Sequence, residues 1–211
     1  PYINGGDVKN TGVELGMTWS DKIGKVQYNI GGNFAYNKNE VGKINTADGM
    51  IHGSTNVMFN NQSEFYRISE GHAMGYFWGF KTDGLFQNQQ EVNDHAVQPG
   101  AEPGDIRFRD LNNDGVINDE DRTVIGNPNP TWLFSMNNSL TYKGFELSVY
   151  LQGVAGNKIF NANNIDNTGM AAAYNQTTDV LNRWTGEGTS NFMPRAVYGD
   201  PNNNNRISDR F

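Results

Sequence analysis

Four stretches of this chain alternate apolar and polar side chains residue by residue, and nothing else in the sequence restricts the fold so tightly. In Thr11–Ser20 the apolar set is Val13, Leu15, Met17 and Trp19, separated by Glu14, Gly16 and Thr18. Lys25–Tyr36 carries Val26, Tyr28, Ile30, Phe34 and Tyr36 against Gln27, Asn29, Gly31 and Asn33. Thr131–Tyr142 carries Trp132, Phe134, Met136, Leu140 and Tyr142 opposite Ser135, Asn137, Ser139 and Thr141, with Leu133 and Asn138 breaking the pattern. Gly144–Gly153 sets Phe145, Leu147, Val149 and Leu151 against Glu146, Ser148, Tyr150 and Gln152. Successive strand side chains point to opposite faces, so this period means strands with one apolar and one polar face.

The connections sort these strands. Asp21–Gly24 is a short turn and Lys143-Gly144 is another, which gives two hairpins. Residues 37–130 and 155–211 are long, rich in Asn, Gly, Asp and Pro, and without sustained periodicity. Loops of that length are uncommon in a compact soluble domain. Short turns at one end and long loops at the other describe an outer-membrane barrel, whose strands need roughly 9–11 residues. Trp19, Tyr142 and Phe145 lie beside the turns and Tyr36 and Trp132 at the far ends, where two interfacial aromatic girdles would run. The same alternation also suits a β-sandwich whose apolar faces meet in a core, and the pattern alone leaves both open. In the sandwich case the chain would be a secreted, calcium-stabilised carbohydrate-binding or adhesion module. Four strands cannot close a barrel, which takes about eight or more. The expectation is therefore an all-β chain: a fragment of a large antiparallel transmembrane β-barrel, with 37–130 and 155–211 mainly extracellular loops. An opening Pro-Tyr-Ile without an initiator methionine agrees with a piece of a longer protein.

Composition narrows the partners. The chain has 211 residues, a net charge of −7 and no cysteine, which argues against nucleic acid and against thiol or zinc chemistry. Only 18% of residues are charged, while 25 glycines and many asparagines and aromatics fill the difference, a balance suited to β-structure with polar uncharged loops. No stretch approaches the roughly 20 apolar residues of a membrane helix, which leaves the β-route across a bilayer available.

One motif carries specific chemistry. Asp110-Leu-Asn-Asn-Asp-Gly-Val-Ile-Asn-Asp-Glu-Asp121 places oxygen-bearing side chains at positions 1, 3, 5, 9 and 12 of an EF-hand-type calcium loop, with glycine at 6. Asp110, Asn112, Asp114 and Asp121 are the natural side-chain ligands, Val116 would offer its carbonyl, and Asn118 would act directly or through water. Position 12 is Asp121 rather than the usual Glu, one methylene shorter. The competing reading is an Asx-rich turn whose side chains cap their own backbone.

Other candidates are less specific. Tyr76, Phe77, Trp78 and Phe80 form an aromatic cluster that could present faces to a sugar ring or a partner, or simply pack the loops together. Trp184, beside Arg183, is a further partner contact or loop anchor. Asn56, Asn60, Asn61 and the Asn202–Asn205 run could hydrogen-bond hydroxyls or sit solvated in turns. His52, His72 and His95 have no metal-ligand spacing, no nucleophile signature accompanies them, and the carboxylates cluster in the calcium-type loop. No catalysis is expected.

Blocks along the chain resemble the SusC/RagA family of TonB-dependent outer-membrane transporters. Residues 103–130, from Pro103-Gly-Asp-Ile-Arg-Phe-Arg-Asp110 through the loop to Asn127-Pro-Asn-Pro130, are similar to a family hallmark. So are Tyr142-Lys-Gly-Phe-Glu-Leu-Ser-Val-Tyr-Leu-Gln-Gly153, Gly75-Tyr-Phe-Trp-Gly-Phe-Lys-Thr-Asp-Gly-Leu-Phe86, Asn182-Arg-Trp184 and Ser208-Asp-Arg-Phe211. The resemblance covers only the C-terminal part of a barrel, without plug or TonB box. It implies TonB-energised import of a bulky nutrient, a glycan oligosaccharide or a peptide, across the outer membrane of a Bacteroidetes-type Gram-negative cell. It also implies a SusD-like surface lipoprotein as lid, and a calcium-type loop on the extracellular side. On this reading Gly75–Phe86 forms a hairpin within an extracellular excursion.

Overall fold

The computed structural model describes residues 5–53 and 64–211; Asn56, Asn60 and Asn61 lie outside the described residues. In chain order the elements are β1 (Gly6–Ile23), β2 (Val26–Ile44), β3 (Met50–His52), β4 (Tyr66–Ser69), β5 (Tyr76–Gly79), β6 (Thr82–Leu85), α1 (Gln89–Asp94), β7 (Ile106–Phe108), β8 (Thr123–Gly126), β9 (Trp132–Tyr142), β10 (Phe145–Ala155) and α2 (Asn163–Thr168). Single 3-10 turns occupy Asp119–Asp121 and Thr178–Asn182. The chain divides into two compact units, one of residues 1–51, 68–76 and 127–159, the other of residues 52–67, 77–126 and 160–211.

The first unit is built on an antiparallel sheet in the order β1-β2-β9-β10. Its register places the four alternating patterns on common faces. Trp19 pairs with Ile30, Met17 with Gly32, Leu15 with Phe34 and Val13 with Tyr36. Across the next ladder Tyr28 meets Leu140, Gly32 meets Met136, Phe34 meets Phe134 and Tyr36 meets Trp132. Then Tyr142 meets Phe145, Leu140 meets Leu147 and Met136 meets Leu151. One face is thus a continuous apolar surface, and a one-residue slip of any strand would turn its whole apolar set away. The two irregular residues have places in this register. Leu133 joins Ala35 and Val154 on the other face, and Asn138 falls in the Trp19–Ile30 row of the apolar face.

Both tight turns are two-residue connections. Lys143 and Gly144 have φ of 48° and 85°, as a I′ turn requires at both central positions. Gly24 takes the positive φ, 59°, of the first position of the other turn. That turn is Gly24-Lys25 rather than Asp21–Gly24, because β1 pairs as far as Ile23 against Val26. The first two strands also exceed expectation, at 18 and 19 residues. Much of the added length is polar, Lys9 pairing with Glu40 and Asn10 with Asn39, although Val8 pairs with Val41, which is buried. The added length lies at the strand ends opposite the tight turns.

The second unit has an apolar core of Phe80, Leu85, Ile106, Phe108 and Ile117, with Ala96 and Trp184 packed against it. β6 pairs with β7, Leu85 opposite Ile106, and β5 pairs with β8, Phe77 opposite Gly126. Gly75–Phe86 is therefore not a hairpin. Its two four-residue strands pair with different partners, and each is far shorter than a spanning strand.

Candidate functional site

The sheet of the first unit presents its apolar face uncovered. Val13 is 71% exposed, Met17 69%, Trp19 63% and Phe145 81%. A sandwich would have to cover these side chains with a second sheet, so the sandwich reading does not describe this unit. Its opposite face carries hydroxyls and amides that bond across strands: Asn29 donates to Ser20 at 2.8 Å and Asn39 to Asn10 at 2.9 Å. The apolar face is bounded by rings at both ends, with Tyr36 and Trp132 at 4.7 Å on one side and the Tyr142–Phe145 pair on the other. Trp132 and Tyr142 bound an 11-residue strand. Ten steps of ~3.4 Å, tilted by ~45°, give a band ~24 Å tall, the height of the lipid-facing belt of an outer-membrane barrel.

The calcium-type loop lies between β7 and β8 in the second unit. Five of its Asp and Asn side chains turn inward on the loop's own backbone. The two Asp110 carboxylate oxygens accept from the Asn113 N–H at 2.7 Å and the Gly115 N–H at 2.9 Å. Asn112 accepts from Asp114 N at 3.0 Å, Asp114 from Val116 N at 2.8 Å, and Asn118 from Glu120 N at 2.7 Å. Asp121, fully buried, accepts from Leu111 N at 2.8 Å and Asn118 N at 2.9 Å, tying the loop's end to its beginning. Gly115, at φ 84°, makes the tight bend that the motif assigns to its glycine. Ile117 anchors the loop in the core, and a β-bridge joins Val116 to Val97.

Hydrogen bonds from the Val116 N–H and the Asn112 amide hold the Asp114 carboxyl below the usual range. Asp110, Asp114 and Asp121 form no ion pair among the described residues. Nor do three acidic or histidine side chains among them converge as a metal site would require. These contacts are those of a self-capped Asx-rich loop. The same oxygens keep free lone pairs, so the residue types fit a hard cation without the structure arranging them around one.

The aromatic candidates are placed differently from a ligand platform. Tyr76 is 3% exposed, its hydroxyl 2.9 Å from Ser69 Oγ. Phe80 is 5% exposed, its ring 5.3 Å from Phe108. Neither can offer a face to a ligand without opening the fold. Trp78 is half-buried, with the Arg67 guanidinium 4.2 Å above its ring. Trp184 is an anchor: its indole lies directly on Gly104, where an added Cβ would come within 2.4 Å of the ring.

The asparagine run holds the largest surprise for sequence reasoning. Asn202, Asn204 and Asn205 are buried, not solvated. The centre is Asp105, with no exposed surface, which receives the Arg195 guanidinium at 2.7 and 3.1 Å, the Asn204 amide at 3.1 Å and the Asn202 amide. Asn204 in turn accepts from Ile106 N at 2.9 Å. The partners are about ninety or more residues apart in sequence, and no periodicity joins them. Asp200, at the base of this loop, is pushed up to about 6, chiefly by burial.

No family model matches the chain. A TonB-dependent receptor, P3, of Formosa agariphila is 30% identical over 220 residues, spanning 99% of this chain. The chain belongs to the TonB-dependent receptor family. A second receptor of that organism, P26, is 30% identical over 147 residues, 68% of this chain. The chain spans about a fifth of the first relative's length and less of the second's, 20% and 15%. Among solved structures, the RagAB peptide transporter matches 92% of this chain and 20% of its own with a TM-score of 0.67 at 17% identity. RagAB in its 'open-open' state, a peptide importer, gives 0.63 over 90% of this chain and 19% of its own. At that identity the likeness concerns the fold, an all-β barrel segment. The curated relatives bear the names of receptors and the solved structures those of a peptide transporter; none is named as an enzyme.

Proposed function

We propose that this receptor chain is wall and mouth of an outer-membrane importer that takes up bulky nutrients, glycan oligosaccharides or peptides, with energy from the TonB system and a SusD-like surface lipoprotein as lid. One observation carries the reading: a single sheet has an uncovered, ring-bounded apolar face of bilayer height and a hydrogen-bonded polar face behind it. Water on one side and lipid on the other is the environment in which both faces are satisfied. The test is uptake. A strain lacking the full-length protein should lose TonB-dependent accumulation of a labelled oligosaccharide or peptide, and regain it from a plasmid copy. Unchanged accumulation of every nutrient tried would overturn the proposal.

Calcium belongs to this reading as a staple for the loop. Asp110, Asn112, Asp114 and Asp121, with the Val116 carbonyl and Asn118, would hold the ion, reducing the entropy lost when the mouth engages cargo or lid. Calcium should protect residues 105–125 from protease, and Asp114→Ala should abolish that protection. Digestion that is the same with calcium and with chelator would sink the assignment.

A further inference from the structure

Buried charges in proteins are paired, because removing an ion from water is costly unless an opposite charge or hydrogen bonds replace the solvent. Arg195 obeys this rule, sharing its guanidinium between Asp105 and Glu102. Arg210 does not. Its Nε is buried without a hydrogen-bond partner, and no carboxylate among the described residues lies in ion-pair range. Its guanidinium sits 5.3 Å from the Phe192 ring and 5.9 Å from the Phe211 ring, contacts that hold its plane but do not neutralise its charge. Burial alone pulls its proton affinity down, to about 10.

The same guanidinium lines a cavity of about 220 Å³, together with the two rings and the side chains of Asn164, Asn182 and Asp179. Two asparagines and an arginine lining one small space supply amide and guanidinium donors suited to a planar anion, which a guanidinium binds through two parallel bonds. Asp179 contributes the one negative charge of the lining. Its carboxylate accepts from Thr177 Oγ1 at 3.3 Å and does not reach Arg210.

We propose that this cavity binds a carboxylate group of a soluble ligand, gripped by Arg210 and oriented by the rings of Phe192 and Phe211. The inference rests on the cavity alone and stands or falls separately from import. The test uses the full-length protein in detergent and N-acetylglycine as probe, followed by saturation-transfer NMR on the acetyl methyl. Wild type should give a saturable signal that acetate competes away and chloride at equal ionic strength does not. Arg210→Gln, which keeps a donor but loses the charge, should weaken binding by roughly tenfold or more, the worth of one charge-assisted bond. Arg210→Lys should retain part of it.

The proposal is overturned if the probe does not bind wild type saturably, or binds Arg210→Gln equally well. A cavity already filled by a carboxylate elsewhere in the polypeptide would give the first of these results. Asp179→Asn separates the remaining case. If Asp179 is the true counter-ion, that change frees the guanidinium and acetate binding appears only in the variant, which also overturns the proposal. Retained binding in both wild type and Asp179→Asn supports it.

Discussion

Replacing Leu151 by arginine puts a charge at a calculable depth. Leu151 is 57% exposed on the apolar face and pairs with Met136, which pairs with Gly32. Trp132, at the end of that face, is four residues from Met136 along β9. Four steps of ~3.4 Å at ~45° put Leu151 ~10 Å below the nearer aromatic girdle, close to the middle of a belt ~25 Å tall. Arginine at the midplane of a barrel's lipid face costs about 2–4 kcal/mol, falling to about 0–1 near an interface. Leu151→Arg should therefore lower unfolding free energy by about 2–4 kcal/mol. Val13→Arg, at the girdle level beside Tyr36, should cost about 1 kcal/mol or less. Gln152→Arg, next in the chain but on the polar face, should cost close to nothing. The assay is denaturant titration of the full-length protein folded into lipid vesicles, read by tryptophan fluorescence. Equal losses at Leu151 and Gln152, or no loss at Leu151, would refute the assignment of faces.

Two further outcomes follow from the second unit. Asp105→Ala leaves the Arg195 guanidinium and two asparagine amides without their shared acceptor. It should destabilise the 195–206 loop by about 3 kcal/mol or more, seen as faster hydrogen exchange there and unchanged exchange in β9 and β10. Unaltered protection of 195–206 would remove Asp105 from its central position. Asp200 has its folded pKa raised to about 6 from 3.8, so its ionisation opposes folding. That penalty is absent below about pH 4, grows as pH rises towards 6, and is complete above it. Asp200→Asn tolerates the positive φ of 53° and should stabilise the loop above pH 7, by about 1 kcal/mol after allowing for water at this half-buried site, while leaving it unchanged near pH 4. A gain of equal size at both pH values would contradict the sign.

The strands were legible because each constraint on them is local. Val13, Leu15, Met17 and Trp19 alternate whatever surrounds them, and Lys143-Gly144 dictates its own turn. The excess length of β1 and β2 was hidden, because Lys9, Asn10 and their partners Glu40 and Asn39 are polar on both faces and carry no period. The Asp/Asn loop was legible in its spacing and in the bend at Gly115. Its spacing alone could not separate capping from ligation, since both use the same oxygens. The spacing of Tyr76 and Phe80 marks them as a cluster, but their burial depends on Phe108 and Ser69, which sequence order does not announce as neighbours. Composition misled most at Asn202–Asn205: a run of asparagines reads as solvent-loving until Asp105, about a hundred residues earlier, supplies the acceptor that draws it inside.

A nitroxide scan along β10 tests the lipid-facing wall most directly. With the full-length protein in vesicles and labels placed singly from residue 145 to 155, positions 145, 147, 149 and 151 should collide with dissolved oxygen. Positions 146, 148, 150 and 152 should collide instead with a water-soluble nickel chelate. Protection of the odd positions from both reagents would mean that protein, not lipid, covers the apolar face, and the barrel account would be wrong.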